Sequence, residues 1–411
     1  MTDIWLWLSR KKGLGPKRIH QLLERFGTAQ DLFDAGQMQL LRAGLPTTEA
    51  ELLADKELAE AAAIRDACFR LGISILCWDD PRYPQILRQI PDAPVVLYYK
   101  GRLPELGKRP SLALVGARKA SAYGQLTAKT LGYQAARCGC ITVTGLAAGI
   151  DAAAAEGALL GDGPVIGVLG CGADVVYPKS SRQLYREVES HGCILTEYPP
   201  GTAPFATHFP ARNRIISGLC DGVVVVEAGE KSGALITANL ALDQGRDVYA
   251  VPGPAGSESC AGSNRLIKEG ATLLETCYEA ARTYSFRYPG SVTAFTGVPD
   301  PDETLAPDPD EKPAPQPQRP TTPAPEKPAA PAANAQPNGP WPLPPEEIAR
   351  RKAGRSPEEQ RIIEALRCGP MQLDLLIADT GLPTAKVLAV LTLMELRGGL
   401  GRLPGKYYTL K

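Results

Sequence analysis

The sequence predicts an α/β protein. Its middle is a doubly wound parallel sheet, preceded by a helical domain and followed, beyond a tether, by a small module of three helices and a β-wing. Three observations carry this prediction. Between residues 108 and 283, short runs rich in Val, Ile and Leu alternate with amphipathic segments of helical length. Residues 1–70 lack that alternation and read as successive helices. Residues 299–345 hold 17 of the 38 prolines, a composition that buries too little apolar surface to fold and acts as an extended spacer.

The first domain, residues 1–70, opens with IWLWLSR and continues through GLGPKRIHQLLERFG into two Ala/Leu-rich segments. Gly13-Leu14-Gly15-Pro16-Lys17 ahead of an apolar-periodic helix reads as a hairpin between helices, of the helix-hairpin-helix or SAM-like kind. Such a turn can present N–H groups to a DNA phosphate. Lys11, Lys12, Gly13, Gly15, Lys17 and Arg18 are therefore candidate auxiliary DNA contacts. A compact helical cap with solvated basic residues explains the same pattern.

The second domain spans residues 71–283. LALV (112–115), ITVT (141–144), VIGVL (165–169), CILTEY (193–198), GVVVVEA (222–228) and DVYAVPG (247–253) are its strands. Strands buried on both faces and alternating with helices make a parallel, Rossmann-like sheet. ISILCW (73–78) and VVLYYKG (95–101) add edge strands. Residues 284–350 form the Pro-rich linker. Residues 351–411 run helix, helix, helix, hairpin, which is the winged-helix order. Ser356-Pro357-Glu358-Glu359 starts its first helix with an N-cap, a proline at the first position and a capping-box glutamate.

Charge narrows the function. Lys+Arg and Asp+Glu are 45 each over the chain, and 16 each in residues 108–283. A non-specific polycation would be lopsided, so any anion site is built locally. No apolar run reaches the ~18 residues needed to cross a bilayer, and the start MTDIWLWLSRKKG shows no signal-peptide cleavage pattern. Ten cysteines without a CxxC pair read as reduced core fillers of a cytoplasmic protein. Three histidines make a zinc site or a Ser-His-Asp triad a poor reading, and we expect no metal and no cofactor.

Ligands of open α/β sheets bind beyond the carboxyl ends of the strands. Four strands here end in glycine: Gly116-Ala-Arg118, Gly145-Leu-Ala-Ala-Gly149, Gly170-Cys-Gly172 and Gly229-Glu-Lys231-Ser232-Gly233. Glycine lets backbone N–H groups approach an anion closely, and helix N-termini add positive potential. The segment HFPARNRIISGL (208–219) places Arg212 and Arg214 at a helix start, where the macrodipole disfavours cations. An anion in front of that helix explains them; an ion pair to Glu197 or Glu227 would explain them equally. GxGxxG is missing after the first strand, and no acidic residue ends the second, which disfavours NAD. Gly229-Glu-Lys231-Ser232 lacks the upstream glycine of a P-loop, which disfavours ATP hydrolysis.

Six ordered motifs carry a resemblance: VGARKASAYGQ (115–125), TGLAAGIDAAA (144–154), GCGADVVYP (170–178), FPARNRIISGL (209–219), SGALITANLAL (232–242), and VPG (251–253) with GSNRLIKEGA (262–271). The chain resembles the DNA-processing protein A (DprA/Smf) family of bacteria from about residue 70 to 280. The resemblance implies a non-catalytic protein that binds and protects incoming single-stranded DNA, self-associates as a homodimer, and loads the RecA recombinase during natural transformation. It implies that Gly116 and Arg118, then Gly145 and Gly149, hold phosphates, with Gly170 and Gly172 on the same rim. Phe209 would face a base, Arg212, Asn213 and Arg214 would grip the backbone, and Lys231, Ser232, Gly233 and Thr237 would line the neighbouring wall. Two departures bear on affinity. Ala148 and Ala155 stand where many members carry arginine and histidine, and Ala206 and Thr207 stand where a basic residue often precedes the Phe-Pro motif.

Two other readings compete. A nucleotide-processing enzyme of the lysine-decarboxylase-like/LOG type shares such a body, but it needs a carboxylate near where Thr237 stands. A transcription factor would read bases through the third C-terminal helix. TAKVLAVLTLMELRG offers only Lys386, Glu395 and Arg397 as charged groups, without Asn or Gln.

Overall fold

The computed structural model describes residues 1–300, 305, 344–382, 384–403 and 407–410. They fall into two compact units, Met1–Ala314 and Pro315–Lys411.

The first unit begins with six helices: α1 (Thr2–Arg10), α2 (Pro16–Phe26), α3 (Ala29–Asp34), α4 (Gln37–Arg42), α5 (Thr47–Ala54) and α6 (Ala59–Leu71). Local chemistry sets their ends. Pro16 opens α2 behind the extended Gly15, Thr28 and Asp31 close a capping box on α3, and Gly72 ends α6 in the left-handed region at φ 64°. Five consecutive α1 residues, Ile4 to Leu8, are buried. Helix α1 is therefore a core helix, and its side chains share one cluster with Val95, Tyr98, Leu146 and Leu169 of the sheet domain. The helical domain and the sheet are fused through this apolar seam.

The sheet has nine strands: β1 (Ser74–Cys77), β2 (Val96–Gly101), β3 (Ser111–Val115), β4 (Ile141–Thr144), β5 (Val165–Leu169), β6 (Cys193–Thr196), β7 (Gly222–Val225), β8 (Asp247–Ala250) and β9 (Thr272–Leu273), in the order β1-β2-β6-β5-β4-β3-β7-β8-β9. The run from β6 through β9 is parallel, whereas β2 pairs antiparallel with β6 and β1 with β2. The chain enters at β3, winds outward to β6, and returns to β7 on the other side of β3. Its winding direction reverses between β3 and β7, which is where open α/β sheets keep their ligand crevice. The intervening helices are α7 (Gln85–Arg88), α8 (Ala122–Arg137), α9 (Ile150–Leu160), α10 (Arg182–His191), α11 (His208–Gly218), α12 (Gly233–Asp243), α13 (Ala261–Lys268) and α14 (Cys277–Thr283). Strand β3 shows the two-sided burial: Leu112 and Leu114 pack with α8 and α14, Ala113 and Val115 with α11 and α12. Packing continues past residue 283, because Phe295 meets Tyr133 edge-on and Gln134 Nε2 donates to the Thr296 and Gly297 carbonyls.

The second unit holds α15 (Pro345–Lys352), α16 (Pro357–Ala365), β10 (Met371–Gln372), α17 (Leu373–Thr380), α18 (Thr384–Leu396), β11 (Leu400–Leu403) and β12 (Tyr407–Leu410), with strand order β10-β12-β11. The Ser356–Glu359 capping box is present. Helix α15 lies mostly in the stretch expected to be linker, 284–350, and its last two residues in the expected winged-helix domain. Prolines disguise it in the sequence, yet Pro345 at its first position needs no N–H partner and Ile348 joins the core of Ile362, Ile363 and Leu391. The remainder of the linker, 301–304 and 306–343, lies outside the described residues. Among the described residues no helix is long and apolar enough to cross a membrane.

Candidate nucleic-acid interface

A cleft of ≈ 730 Å³ opens at the carboxyl ends of β3, β4 and β7. The loop after β3 gives it Gly116, Arg118 and Lys119, the turn after β7 gives Gly229, Lys231, Ser232 and Gly233, and α11 gives Phe209, Arg212 and Asn213. Helices α8 and α12 start at this rim, each with a serine N-cap: Ser121 accepts from Gly124 N–H at 3.0 Å and Ser232 from Ala234 N–H at 3.3 Å. A Cβ on Gly233 would meet nothing within 4 Å, so the first turn of α12 faces open space.

The other glycine turns differ from that expectation. Asp151, buried in the first turn of α9, accepts from Gly145 N–H at 3.0 Å, and the Gly116 and Ala147 N–H groups also point at its carboxylate. Burial pushes this carboxyl upward in pKa, against the Arg212 charge and those amides, which favour its ionised form. Glu227, fully buried at the end of β7, accepts from the Ser121 N–H at 3.1 Å and from the Ser121 hydroxyl. The Gly116 and Gly145 amides that the sequence suggested for phosphate are thus turned to the Asp151 carboxylate of the chain itself, and Glu227 holds the N-cap serine of α8. These glycines serve close packing. A Cβ on Gly116 would come within 2.6 Å of Ile150, and Gly149 at φ 85° lies against the Ala117 and Arg118 carbonyls. Gly170 lies under the Phe209 ring, and Gly172 against Asp174 and the Pro199 carbonyl.

The two arginines of α11 part company. Arg214 is buried and held by Glu197 at 2.7 Å and Asp92 at 3.0 Å, so it ties α11 to the sheet edge and makes no contact with the cleft. This corrects the expectation that it grips a DNA backbone. Arg212 lines the cleft floor at 4% exposure, donating from Nη1 to the Val168 carbonyl at 2.9 Å, while its Nε has no partner. Burial lowers its pKa, Asp151 opposes that, and the nearby Arg118 adds to the lowering. Asp151 thus offsets part of the Arg212 charge, whereas Arg118 has no ion-pair partner among the described residues and keeps the rim positive. Between the arginines, Asn213 faces the cleft half-buried, and Thr237 closes the wall from α12.

The rim cations are Arg118, Lys119 and Lys231, all exposed and in no ion pair among the described residues. The Arg118 guanidinium lies over the Phe209 ring at 5.0 Å, and Tyr177 approaches that ring at 5.6 Å with 43% of its surface exposed. His208 stacks on Tyr198 at 4.0 Å beside the exposed Phe205. Sequence reasoning passed over Lys119, Tyr177, Phe205 and His208. All four sit within or beside the quoted motifs, and only the fold reveals which of them face outward. Exposed aromatic faces beside unpaired cations suit a chain of phosphates and bases.

The N-terminal hairpin is a helical cap more than a contact surface. Lys11 is buried and donates to the Asp55 carbonyl at 2.7 Å, and Arg18 pairs with Glu49 at 2.7 Å. Both were candidate DNA contacts and both are consumed internally. Lys12, Gly13, Gly15 and Lys17 remain exposed. In the second unit Lys386 of α18 pairs with Glu358 at 2.9 Å and Arg397 with Glu359 at 3.1 Å, so the cations of the third helix serve its packing.

Comparison with known proteins agrees with this geometry. A family model described as DNA recombination-mediator protein A matches residues 74–285, and one described as DprA winged helix domain matches residues 312–406. Protein Smf of Synechocystis is 31% identical over 412 residues, covering 98% of this chain and 97% of that protein. The DNA processing protein DprA of Streptococcus pneumoniae is 44% identical over 207 residues, 50% of this chain and 73% of its own. The X-ray structure of that DprA superposes with a TM-score of 0.60 at 36% identity, covering 68% of this chain and 97% of its own.

Proposed function

Because the chain belongs to the DNA recombination-mediator protein A family, we propose that it is a single-strand DNA-binding recombination mediator acting at the cleft between β3 and β7. The observation that carries this reading is the set of rim groups: Arg118 over Phe209, flanked by Lys119, Lys231 and the exposed ring of Tyr177. Phosphates meet the three rim cations and the open first turn of α12, with Arg212 supplying charge from the floor. Bases stack on Phe209 and Tyr177. Neither contact depends on base identity, so binding is tolerant of sequence and sensitive to salt.

The cleft binds without catalysing. Among its described lining residues the one carboxylate is Asp151, whose oxygens are occupied by backbone amides and face Arg212. Thr237 stands buried where a glycoside-cleaving enzyme of the LOG type needs its acid. Family membership supports a finer role. The protein coats and protects incoming single strands, works as a homodimer, and hands the strand to RecA, without metal or cofactor. The test is fluorescence anisotropy with an unstructured oligonucleotide and a blunt duplex across a salt series. Tight binding to the single strand, weakening steeply with salt, is the expected result. Equal or stronger duplex binding would overturn the reading.

A further inference from the structure

The deepest charged group near the cleft has no cation beside it. Glu227 is fully buried, joins no ion pair among the described residues, and lies beneath a loop meant to face an anion. An unpaired buried carboxylate is costly unless hydrogen bonds hold it. Its contacts all belong to one loop and the start of α8. Its oxygens take both the N–H and the hydroxyl of Ser121. Its main-chain carbonyl takes the Ala117 N–H at 2.7 Å. Gly124 lacks a side chain at the place where a Cβ would strike the Glu227 carboxylate. Glu227 thus clamps both ends of the loop 117–121, Ala117 through its main-chain carbonyl and Ser121 through its carboxylate, and the cations this loop exposes are Arg118 and Lys119. Its charge also sits at the N-terminus of α8, where a carboxylate is favoured.

We infer that Glu227 is a positioning residue: through Ala117 and Ser121 it sets the loop so that the Arg118 guanidinium stays over Phe209 and at the cleft rim. This rests on the proposed role of the cleft but makes a separate claim about how the loop is held. Without the carboxylate the loop keeps its Ala117 end, which is held through the main-chain carbonyl of residue 227, but loses its hold at Ser121. Arg118 would then sample more positions, and its contribution to binding would fall.

The test pairs two readouts on the full chain. In the first, Arg118→Ala is made in the wild type and in Glu227→Ala, Glu227→Gln and Ser121→Ala backgrounds, and single-strand affinity is measured by anisotropy. Loss of Arg118 is expected to cost about tenfold in the wild type and in E227Q, which keeps an acceptor for the Ser121 N–H, less than about threefold in E227A, which loses both bonds to Ser121, and an intermediate amount in S121A, which loses only the hydroxyl bond. S121A serves if E227A does not fold. An equal cost in every background would overturn the inference, since a merely structural residue would not change what Arg118 contributes. The second readout needs no DNA: phenylglyoxal modification of Arg118, followed by peptide mass spectrometry. Modification is expected to run severalfold faster in E227A than in the wild type and faster to a smaller degree in S121A, which keeps the N–H bond, with E227Q near the wild type. Unchanged rates would overturn the inference. A wild type that binds no oligonucleotide would refute the function of the cleft and leave this second readout to decide the clamp.

Discussion

Arg214 Nη2 lies 2.7 Å from Glu197 Oε1, at the foot of α11 and away from the cleft. The same guanidinium reaches Asp92 at 3.0 Å, so one buried cation joins α11, the end of β6 and the turn before β2. The residue is architectural. Arg214→Ala is expected to lower unfolding stability by about 3 kcal/mol, the low end for a broken buried pair because Asp92 and Glu197 keep access to water. Denaturant unfolding measures it. Single-strand affinity, corrected for the folded fraction, should stay within about twofold of wild type; a large loss with stability intact would place Arg214 in the site after all.

The rim cations behave oppositely. Removing Arg118, Lys119 or Lys231 singly is expected to leave the melting temperature unchanged, since none has an ion-pair partner among the described residues. Each removal should reduce the slope of log affinity against log salt by roughly 0.7, the value for one phosphate contact on a single strand. A salt series on each variant checks this, and an unchanged slope removes that residue from the interface.

Stacking supplies the salt-independent remainder. Phe209→Ala is expected to cost about 1–3 kcal/mol of binding free energy with the salt slope preserved, and Phe209→Tyr to restore most of it. Tyr177→Ala should act in the same direction. Anisotropy with abasic and base-containing strands separates the effect: the penalty should vanish on abasic strands.

Burial decides the thiol chemistry. It pushes Cys68 and Cys171 up to about 11 and Cys77 up to about 12. At pH 8 these groups carry almost no thiolate, and the nine cysteines whose side chains are described are all buried. Ellman's reagent is therefore expected to label at most one of the ten cysteines in the native protein and all ten in guanidinium. Rapid native labelling of several thiols would contradict the packing.

Legibility in the sequence followed how local each cause is. Strand and helix periodicity and the Ser356–Glu359 capping box depend on neighbouring residues, and they appear as read. Helix α15 was hidden because its prolines look alike whether they open a helix or extend a tether. The two-residue strand β9 has too little pattern to announce itself. At the site, the glycines marked the right rim of the sheet for a partly different reason. Most make room for Ile150, Phe209, Arg212 and backbone carbonyls, and Gly233 alone of the rim glycines in the cleft faces open space.

What the sequence by itself determined is the order of elements, the sheet end at which glycines and cations gather, and the family to which its motifs belong. What only the tertiary structure decided is which charges are spent inside. Arg212 and Arg214 are two residues apart on one helix, yet one lines the cleft and the other is locked to Glu197. Asp151 takes the Gly116 and Gly145 amides that spacing alone offered to phosphate. The physical reason is that a charge's role depends on its partners in space and on its access to water, and both are set by strands and helices distant in the chain.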